Sequence, residues 1–574
     1  MARYDQEDNH DDLLGNMIVL GVSLVVIAAV VIGVVAGIDN PKDDPRTAHN
    51  MTLDAICNKT DYKETCMSSL EPLGNQTEVI VYFQSAVNAT VSEMAQAMKK
   101  AKVDGDSLSD EDQIMALEDC IELMELCIEE MQSVIKMVNA APNLFYNDSG
   151  DARSSLSAVI SYQTTCLEGF KETHSAYHMG QVLQKSTELA SNALAIIYSY
   201  SENDDEKAES AATPRRSTYE EGVEDERFPV RFSVADRKLL QSHKKGGPRP
   251  DAVVAKDGSG QYKTITAALN AFPIDHKGRY LIYVKSGVYK ENIIVAKNMP
   301  QIYMYGDGAS ESIIAGTDIN GTRYRRATLS AIGSGFICKD IGFRSPDETG
   351  GNFIAAVKLQ SDNAAFFDCR INSTTSGIFA LAHRQFFREC EIYGATNIIS
   401  GDAALVIQRS TIILTDSSLQ GMAKVVASQA RTDRRESTGF VIHGCTIGRD
   451  ISYSLEGQKT TTYHTAERLQ VATYLAMAAE KYSRTIVMES VLGDLIHPDG
   501  WYNNMDDNNG IETVTFVEYG NKGPGAQTNR RVNRPGYNVI TDRDDALRYT
   551  AGRFIQAQEW LPDTEVPFQA GLFS

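Results

Sequence analysis

The segments AAFFDCRI (residues 364–371), ALVIQRSTIIL (residues 404–414) and GFVIHGCTIG (residues 439–448) decide the fold of the C-terminal half. Each is rich in Val, Ile, Leu and Phe and is bounded by Gly, Asp or Asn, which is typical of a short strand. Comparable runs occupy residues 280–289, 298–308 and 327–343. A return of roughly 20 to 25 residues predicts a parallel β-helix, in which stacked coils bury their inward faces. A β-sandwich is the alternative; the lack of hairpin-type Asn-Gly turns between the runs counts against it, although Asn320-Gly321 occurs in a loop.

Residues 48–200 carry a helical pattern instead. Residues 112–140, DQIMALEDCIELMELCIEEMQSVIKMVNA, place apolar side chains at steps of three and four, as an amphipathic helix does. Residues 79–102, 152–171 and 179–200 behave similarly, and a polar break separates the second helix from the third. Four such helices with short connections predict an all-α, up-and-down four-helix bundle.

Length and charge agree with at least two domains. The chain has 574 residues and a net charge of -21. Residues 1–246 hold 41 acidic and 21 basic side chains, whereas the remainder holds 35 and 34. No basic stripe is present, so a nucleic-acid partner is not expected.

An apolar stretch, MIVLGVSLVVIAAVVIGVVAGI (residues 17–38), has no charged residue and is long enough to span a bilayer. It follows an acidic N-terminal tail, residues 1–16, which gives a weak orientation signal. We favour a transmembrane signal anchor that places the body of the protein in the lumen; a cleaved signal peptide and a buried core helix are the alternatives.

Glycosylation signals and cysteines favour the secretory pathway. The N-x-S/T sequons are at Asn50, Asn58, Asn75, Asn88, Asn147, Asn320 and Asn372. Nine cysteines suit an oxidising compartment, and their odd number leaves at least one thiol unpaired in a monomer.

Several C-terminal motifs carry a family resemblance. They are GVYKE (residues 287–291), GDG (306–308), YSRTIVMESVLGDLIHPDGW (482–501), EYGNKGPGAQTNRRVNRPGYNVIT (518–541) and FIQAQEWLPDTEVPFQAGL (554–572). In this order they resemble plant pectin methylesterases (pectinesterases) from about residue 251 onward. The resemblance implies a right-handed pectinesterase-like β-helix over residues 248–574, and a disulfide between Cys369 and Cys390 on adjacent coils.

The cysteines of the helical region extend the resemblance. Cys57 and Cys66 bracket CNKTDYKETC, and Cys120 and Cys166 lie further along. The pattern is similar to the invertase and pectin methylesterase inhibitor domain, which implies the pairs Cys57–Cys66 and Cys120–Cys166 and a free Cys127. The sequence alone allows other pairings.

Residues 201–247 form a linker poor in core-forming side chains. Near its end, Arg237-Lys238-Leu239-Leu240 resembles the dibasic processing site that separates the inhibitor-like region from the catalytic region in this family. A solvated charge run is the alternative interpretation.

The positions to which the resemblance assigns chemistry are all replaced. The family hydrolyses a methyl ester without metal or cofactor, using an Asp nucleophile, an Asp acid/base, two oxyanion-stabilising Gln, an Arg and a Trp. In RQFFRECEIYGATNIISGDAA (residues 384–404) the nucleophile position is Asn397. The other positions hold Ser376 for the acid/base, Ala355 and Thr375 for the two Gln, Met477 for the Arg and Ala479 for the Trp. A neutral amide is a very poor nucleophile, so the family mechanism is expected to be absent.

Possible substitutes are few. Ser376 is a hydroxyl without an evident base, and His383 and Asp402 are expected to point elsewhere, as solvent-facing or turn residues. Arg323, Arg325 and Arg326 lie near the expected cleft, where they could contact the carboxylates of demethylated pectin; an exposed charged turn is the favoured alternative.

Three functions remain open. The first is an inactive pectin methylesterase homologue of the secretory path or cell wall that binds pectin or a partner protein. The second is an active pectinesterase with unusual residues. The third is an inhibitor or chaperone role of the helical bundle, on this chain's own β-helix or on active pectin methylesterases. No cofactor or metal is expected in any of them.

Overall fold

The computed structural model describes residues 50–75, 77–105, 108–147, 149–170, 176–200, 249–319, 321–346, 353–415, 423–449, 472–502 and 512–574. Within these ranges no helix is long and apolar enough to cross a membrane. The anchor expected at residues 17–38 and the processing site at Arg237–Leu240 lie outside the described residues, so both stay predictions.

The N-terminal region is helical. Its helices are α1 (Leu53–Cys57), α2 (Lys63–Leu70), α3 (Val79–Gly105), α4 (Glu111–Ala140), α5 (Pro142–Asn147), α6 (Gly150–Gly169) and α7 (Ala176–Tyr200). The four long helices α3, α4, α6 and α7 pack in an up-and-down bundle, and the short strands Asn50–Met51 and Thr77–Glu78 precede α3. Asp110 caps the N-terminus of α4, because its side chain accepts a hydrogen bond from the Gln113 backbone N–H at 3.1 Å. The predicted bundle is confirmed, with helix ends shifted by at most three residues.

Two disulfides fasten the bundle. Cys57 bonds to Cys66 and joins α1 to α2, and Cys120 of α4 bonds to Cys166 of α6. Cys127 is a buried free thiol on α4. These are the pairs that the resemblance implies.

The C-terminal region is a right-handed parallel β-helix with three sheets in the described residues. The eleven-stranded sheet contains Ala252–Val254, Tyr280–Val284, Ile302–Gly306, Ile337–Lys339, Ala364–Phe367, Arg384–Arg388, Ala404–Gln408, Gly439–His443, Arg484–Met488, Thr515–Tyr519 and Tyr537–Val539. The eight-stranded sheet contains Gly287–Lys290, Ser312–Ala315, Gly342–Arg344, Arg370–Asn372, Glu391–Gly394, Thr411–Leu414, Thr446–Arg449 and Val491–Leu492. The seven-stranded sheet contains Ile293–Val295, Ala327–Ala331, Ala355–Leu359, Ser376–Ala380, Ile399–Gly401, Lys424–Gln429 and Thr473–Ala478.

Stacking between coils stabilises the β-helix. Every strand pair within the three sheets is parallel and in register, so like side chains lie above one another. Inside the coils, Phe366 stacks on Phe387 with ring centroids 4.6 Å apart, and Trp501 stacks on Phe516 at the same distance. The apolar runs noted in the sequence are these inward faces, and the β-sandwich alternative is wrong.

Short helices complete the β-helix. Helix α8 (Ile265–Asn270) contributes to the core near its first strands. Helices α9 (Arg543–Leu547), α10 (Ala551–Phe554) and α11 (Ala557–Trp560) contribute side chains that pack on the outer face of the eleven-stranded sheet. Single 3-10 turns occur at Glu71–Leu73, Pro524–Ala526, Thr528–Arg530 and Leu561–Thr564.

The bundle packs on the outer face of the seven-stranded sheet. Both regions belong to one compact unit, Met51–Ser574. Tyr324, Ala355, Phe379 and Leu381 of the β-helix share a buried apolar cluster with the bundle core. This contact could not be read from the sequence, in which the two patterns are separated by a long linker.

One expected disulfide is not formed in this structure. Cys369 and Cys390 are both buried free thiols. Their positions on adjacent coils are as expected, yet a third cysteine, Cys338, lies against Cys369, with 3.8 Å between the two sulfurs. Cys369 therefore has more than one thiol neighbour, which the two-cysteine expectation did not include.

Glycosylation of the sequon asparagines stays a prediction. Asn58, Asn75 and Asn372 are exposed, and Asn88 is half-buried on α3. The side chains of Asn50, Asn147 and Asn320 are outside the described part of the structure.

Candidate functional site

The positions to which the resemblance assigns catalysis meet on the seven-stranded sheet. The register pairs Ala355 with Ser376, and Ser376 donates a hydrogen bond to the Asn397 carbonyl oxygen on the next coil, at 2.9 Å. The three residues therefore form one column across the sheet, which we call the replaced column. None of them carries a carboxylate, and the buried methyl group of Ala355 cannot donate to an oxyanion.

The remaining positions lie beside this column. The Thr375 hydroxyl donates to the Ile354 carbonyl oxygen at 3.0 Å, so its proton is used inside the coil. Met477 pairs with Ser428, which pairs with Ser400, so a thioether and two hydroxyls replace the Arg side of the site. Ala479 is exposed at the sheet margin.

Asn397 adopts a left-handed backbone conformation with φ of 46°. Asn and Asp tolerate this region better than other non-glycine residues. An aspartate at position 397 would therefore keep the backbone, which makes Asn397→Asp a clean chemical test.

The bundle covers this face of the sheet with an apolar patch and with charged pairs. Glu130 of α4 accepts a hydrogen bond from Lys297 and faces His383 Nε2 at 3.4 Å. Burial acts to raise the pKa of Glu130, but His383 and Lys297 outweigh it and hold the pKa well below its usual range. His383, expected to be solvent-facing or in a turn, is instead buried in the interface.

The basic loop also contacts the bundle. Arg325 forms ion pairs with Asp119 and Glu118 of α4, the latter at 2.9 Å. Arg323 lies over the Phe353 ring, 4.0 Å from its centroid. Basic residues here do bind carboxylates, but the carboxylates that Arg325 binds belong to the chain's own bundle. The exposed-turn alternative is wrong for Arg325.

Asp402 lies at the other end of its strand from Asn397. Gly401 precedes it with φ of 115°, and a Cβ there would be 2.1 Å from the Ala380 carbonyl oxygen, so glycine is required. Asp402 accepts hydrogen bonds from Ser161 of α6 at 2.7 Å and from Gln429 at 2.8 Å. It points away from the replaced column, as expected, but it is buried under the bundle.

A second carboxyl group joins Asp402. Burial raises the pKa of Asp402, and burial together with the neighbouring Asp402 raises the pKa of Glu436 well above its usual range. Two buried negative charges side by side repel each other, which favours a proton on Glu436. Ser161 of the bundle donates a hydrogen bond to Asp402, so this acid pair lies buried beneath the bundle.

The loop that contains Glu436 fastens the bundle. Arg435 donates to both Asp61 oxygens, at 2.7 and 3.1 Å, and to the Lys59 carbonyl oxygen at 2.8 Å. Ser191 of α7 donates to Asp433 at 2.5 Å. These contacts come from the short charged run RTDRRE (residues 431–436), to which the sequence alone assigned no role.

Lys358 is another residue that sequence reasoning missed. Its ammonium group donates to the Tyr324 carbonyl oxygen at 2.8 Å and lies 3.5 Å from the centroid of the Tyr324 ring. Burial lowers the pKa of Lys358 to about 8. The sequence did contain a signal for this charged interface, because the acidic residues Asp119 and Glu130 interrupt the apolar stripe of α4. In the structure, Asp119 pairs with Arg325 and Glu130 pairs with Lys297.

The geometry limits the possible chemistry. The replaced column offers hydroxyl, amide and methyl groups, and the nearby carboxyls Glu130 and Asp402 are occupied by interface partners. No group of three or more His, Cys, Asp and Glu side chains in the described ranges could hold a metal ion.

Comparisons with known proteins agree with this architecture. The Pectinesterase family model matches residues 251–558, and the Plant invertase/pectin methylesterase inhibitor model matches residues 51–196. Pectinesterase/pectinesterase inhibitor 3 of Arabidopsis thaliana is 32% identical over 96% of this chain and 96% of its own length. Pectinesterase 1 of Citrus sinensis is 31% identical over 94% of this chain and 92% of its own length. The pectin methylesterase from carrot covers 56% of this chain and 98% of its own length, at 36% identity and a TM-score of 0.53.

A parallel β-helix with an inhibitor-type helical bundle defines the class of protein. The chain belongs to the pectinesterase family, with an N-terminal domain of the plant invertase/pectin methylesterase inhibitor type.

The acid pair predicts a pH dependence of stability. In the unfolded chain both carboxyls ionise near about pH 4, whereas the folded protein keeps a proton to higher pH. The folded state then binds more protons, so stability falls as the pH rises above about 5. Each unit by which a pKa is raised corresponds to about 1.4 kcal/mol. Glu130, with its lowered pKa, is ionised throughout this range and adds no slope.

Thermal melts between pH 5 and 8 test this expectation. The Tm of Glu436→Gln should fall less than that of the parent between pH 5 and pH 8, because the carboxyl that keeps the proton is gone. The control is Glu391→Gln, which changes a partly exposed carboxyl on the eight-stranded sheet. If the Tm of the parent and the Tm of Glu436→Gln fall equally as the pH rises, the prediction is refuted.

Proposed function

We propose that this protein is a catalytically inactive pectinesterase homologue whose catalytic face is occupied by its own helical bundle. The single observation that carries the proposal is the replaced column, in which Ala355, Ser376 and Asn397 stand together with no carboxylate among them. The substrate class of the family is methyl-esterified pectin, and the reaction that is lost is its demethylesterification.

The size of the expected loss supports inactivity. One missing oxyanion donor costs about 10²–10³ in rate. Here the nucleophile, the acid and both amide donors are replaced together. Groups that act as a unit do not contribute additively, so the residual rate is set by background hydrolysis.

Methanol release from highly methylated pectin tests the proposal. The protein beginning at residue 48 should release no methanol above the no-enzyme rate, before and after cleavage of the linker. The carrot enzyme assayed alongside provides the positive control. Turnover within about tenfold of that enzyme would establish an active pectinesterase, since ordinary enzymes exceed such background by at least about 10⁶.

Asn397→Asp should not restore activity. The left-handed backbone accepts aspartate, so the variant should fold, but Ser376 supplies no carboxylic acid and Ala355 no amide. Methanol release and circular dichroism are the measurements. Ester hydrolysis by the single variant would contradict the proposal, whereas activity only in a variant that also carries Ala355→Gln, Thr375→Gln, Ser376→Asp and Met477→Arg would support it.

A second function, occlusion by the bundle, is favoured by the interface. Glu130, Asp119 and Ser161 of the bundle occupy the groups that the β-helix presents around the replaced column. Pectin therefore has access to this face only after the bundle is released. In a pectin-binding assay, the uncleaved protein should bind less than the same protein after release of the bundle.

We assign the protein to the secretory pathway and the cell wall. The sequons, the bundle disulfides and the pectinesterase relatives support this location. Attachment to the membrane through residues 17–38 is part of the same proposal. The inhibitor alternative, action on other pectin methylesterases, requires a free bundle face; pull-down of active relatives by a released bundle tests it.

A further inference from the structure

Three buried thiols lie together in the core of the β-helix. Cys338 belongs to the strand Ile337–Lys339, Cys369 follows Ala364–Phe367, and these two strands pair directly. Cys390 follows the next strand of the same sheet. All three side chains are at most 2% exposed, so they contact one another and the core rather than solvent.

Cys369 is the central member of this cluster. Its sulfur lies 3.8 Å from that of Cys338, and the register of the paired strands places Cys390 at the matching position on the next coil. Burial acts to raise the pKa of Cys369, but the two thiol donors outweigh it and lower the pKa well below its usual range. Burial raises the pKa of both Cys338 and Cys390.

The other free thiols in the described residues have different surroundings. Cys445 donates to the Ile407 carbonyl oxygen at 3.3 Å, and Cys127 donates to the Val159 carbonyl oxygen at 3.5 Å. Cys369 and Cys390 also donate to backbone carbonyl oxygens, so the difference is that neither Cys445 nor Cys127 shows, in the described residues, a sulfur–sulfur contact like that between Cys369 and Cys338. The cluster is therefore a property of three residues, and Cys445 is a matched control within the same β-helix.

We propose that Cys369 forms a disulfide with either Cys390 or Cys338. The third cysteine then remains a reduced thiol beside the bond. The family resemblance implies the Cys369–Cys390 bond alone. Cys338 adds a second partner, and its sulfur must approach by about 1.8 Å (3.8 Å less about 2.05 Å) to form a bond of normal length.

The chemistry balances with a disulfide oxidant such as oxidised glutathione, acting before the core closes. The Cys369 thiolate attacks glutathione disulfide, giving a mixed disulfide and one glutathione thiolate. A neighbouring thiolate then attacks the Cys369 sulfur and releases the second glutathione. In later exchange, the Cys338 thiolate attacks Cys369 and releases the Cys390 thiolate, which takes up the proton that Cys338 lost. This exchange step needs no oxidant.

Disulfide mapping tests the proposal. The protein beginning at residue 48 is secreted from an oxidising host, blocked with N-ethylmaleimide during acidic denaturation, digested without reduction and analysed by mass spectrometry. We expect both the Cys338–Cys369 and the Cys369–Cys390 peptides, with partial labelling of Cys338 and Cys390. A map with only one of the two bonds, or with neither, overturns the proposal.

Cys→Ser variants test which thiols pair with Cys369. Cys390→Ser should shift all of Cys369 into the bond with Cys338 and abolish labelling of Cys338, whereas Cys338→Ser should do the converse. Cys445→Ser should leave the distribution of the parent unchanged. A folded Cys390→Ser protein in which Cys338 and Cys369 are both labelled refutes the proposal. If Cys390→Ser does not fold, the parent incubated in glutathione buffers of different redox ratio decides, since the two bonds should interconvert there and a fixed ratio refutes exchange.

Discussion

Arg435→Glu is expected to detach the bundle from the β-helix once the linker is cut. Arg435 is buried and makes three hydrogen bonds to the bundle, two to Asp61 and one to the Lys59 carbonyl oxygen. Reversal of its charge breaks these bonds and places a carboxylate against Asp61. Because Asp61 is 39% exposed, solvent screens part of this loss, and the expected cost of about 1.5–3 kcal/mol corresponds to an association weaker by about 10–10²-fold.

A protease site placed in the linker allows the measurement. After cleavage, the parent bundle should co-elute with the β-helix in size-exclusion chromatography, whereas the Arg435→Glu bundle should elute separately at the same concentration. Arg434→Glu is the matched control: Arg434 also contacts Asp61, at 2.7 Å, but its side chain is 56% exposed. An exposed pair contributes about 0–1 kcal/mol, so this variant should behave as the parent.

A compensating change makes the test specific. Asp61→Arg in the Arg435→Glu background restores opposite charges and should recover part of the association. Equal co-elution of the Arg434→Glu and Arg435→Glu proteins would show that the charged loop does not hold the bundle. Separate elution of the parent bundle would show that docking depends on the intact linker.

Arg531→Met should cause the largest loss of stability in the β-helix. Arg531 and Glu518 are both about 2% exposed, and they are joined by hydrogen bonds of 2.7 and 3.1 Å. Arg531 also donates to the Gly525 carbonyl oxygen at 2.7 Å, and Tyr537 donates to Glu518 at 3.1 Å. Removal of the cation leaves a buried carboxylate, at an expected cost of about 3–5 kcal/mol.

Urea unfolding followed by circular dichroism measures this loss. Arg370→Met is the control, because the Arg370–Glu391 pair on the eight-stranded sheet is about one third exposed and should cost less than about 1 kcal/mol. Arg531→Met combined with Glu518→Leu should be more stable than Arg531→Met alone, since the unpaired charge is gone. Equal losses for Arg370→Met and Arg531→Met would contradict the argument.

Much of the site was predictable from the sequence because its signals are local. The strand period placed the coils, and motifs on either side fixed Asn397, Ser376 and Ala355 in register. Parallel pairing then brings residues about one coil apart into one column, as Ser376 and Asn397 show. The environment of His383 and Asp402 was not predictable, because it depends on α4 and α6, which lie more than 200 residues earlier in the chain.

The sequence by itself determined two domains, their fold classes and the residue types at the positions to which the family resemblance assigns catalysis. Each of these depends on spacing or on residue identity within one segment. Only the tertiary structure decided that the bundle covers the altered face, that Arg325, His383 and Asp402 serve this contact, and that Cys338 lies 3.8 Å from Cys369. The physical reason is that docking depends on the complementarity of two surfaces, and disulfide choice depends on distances between coils, neither of which has a periodic signature along the chain.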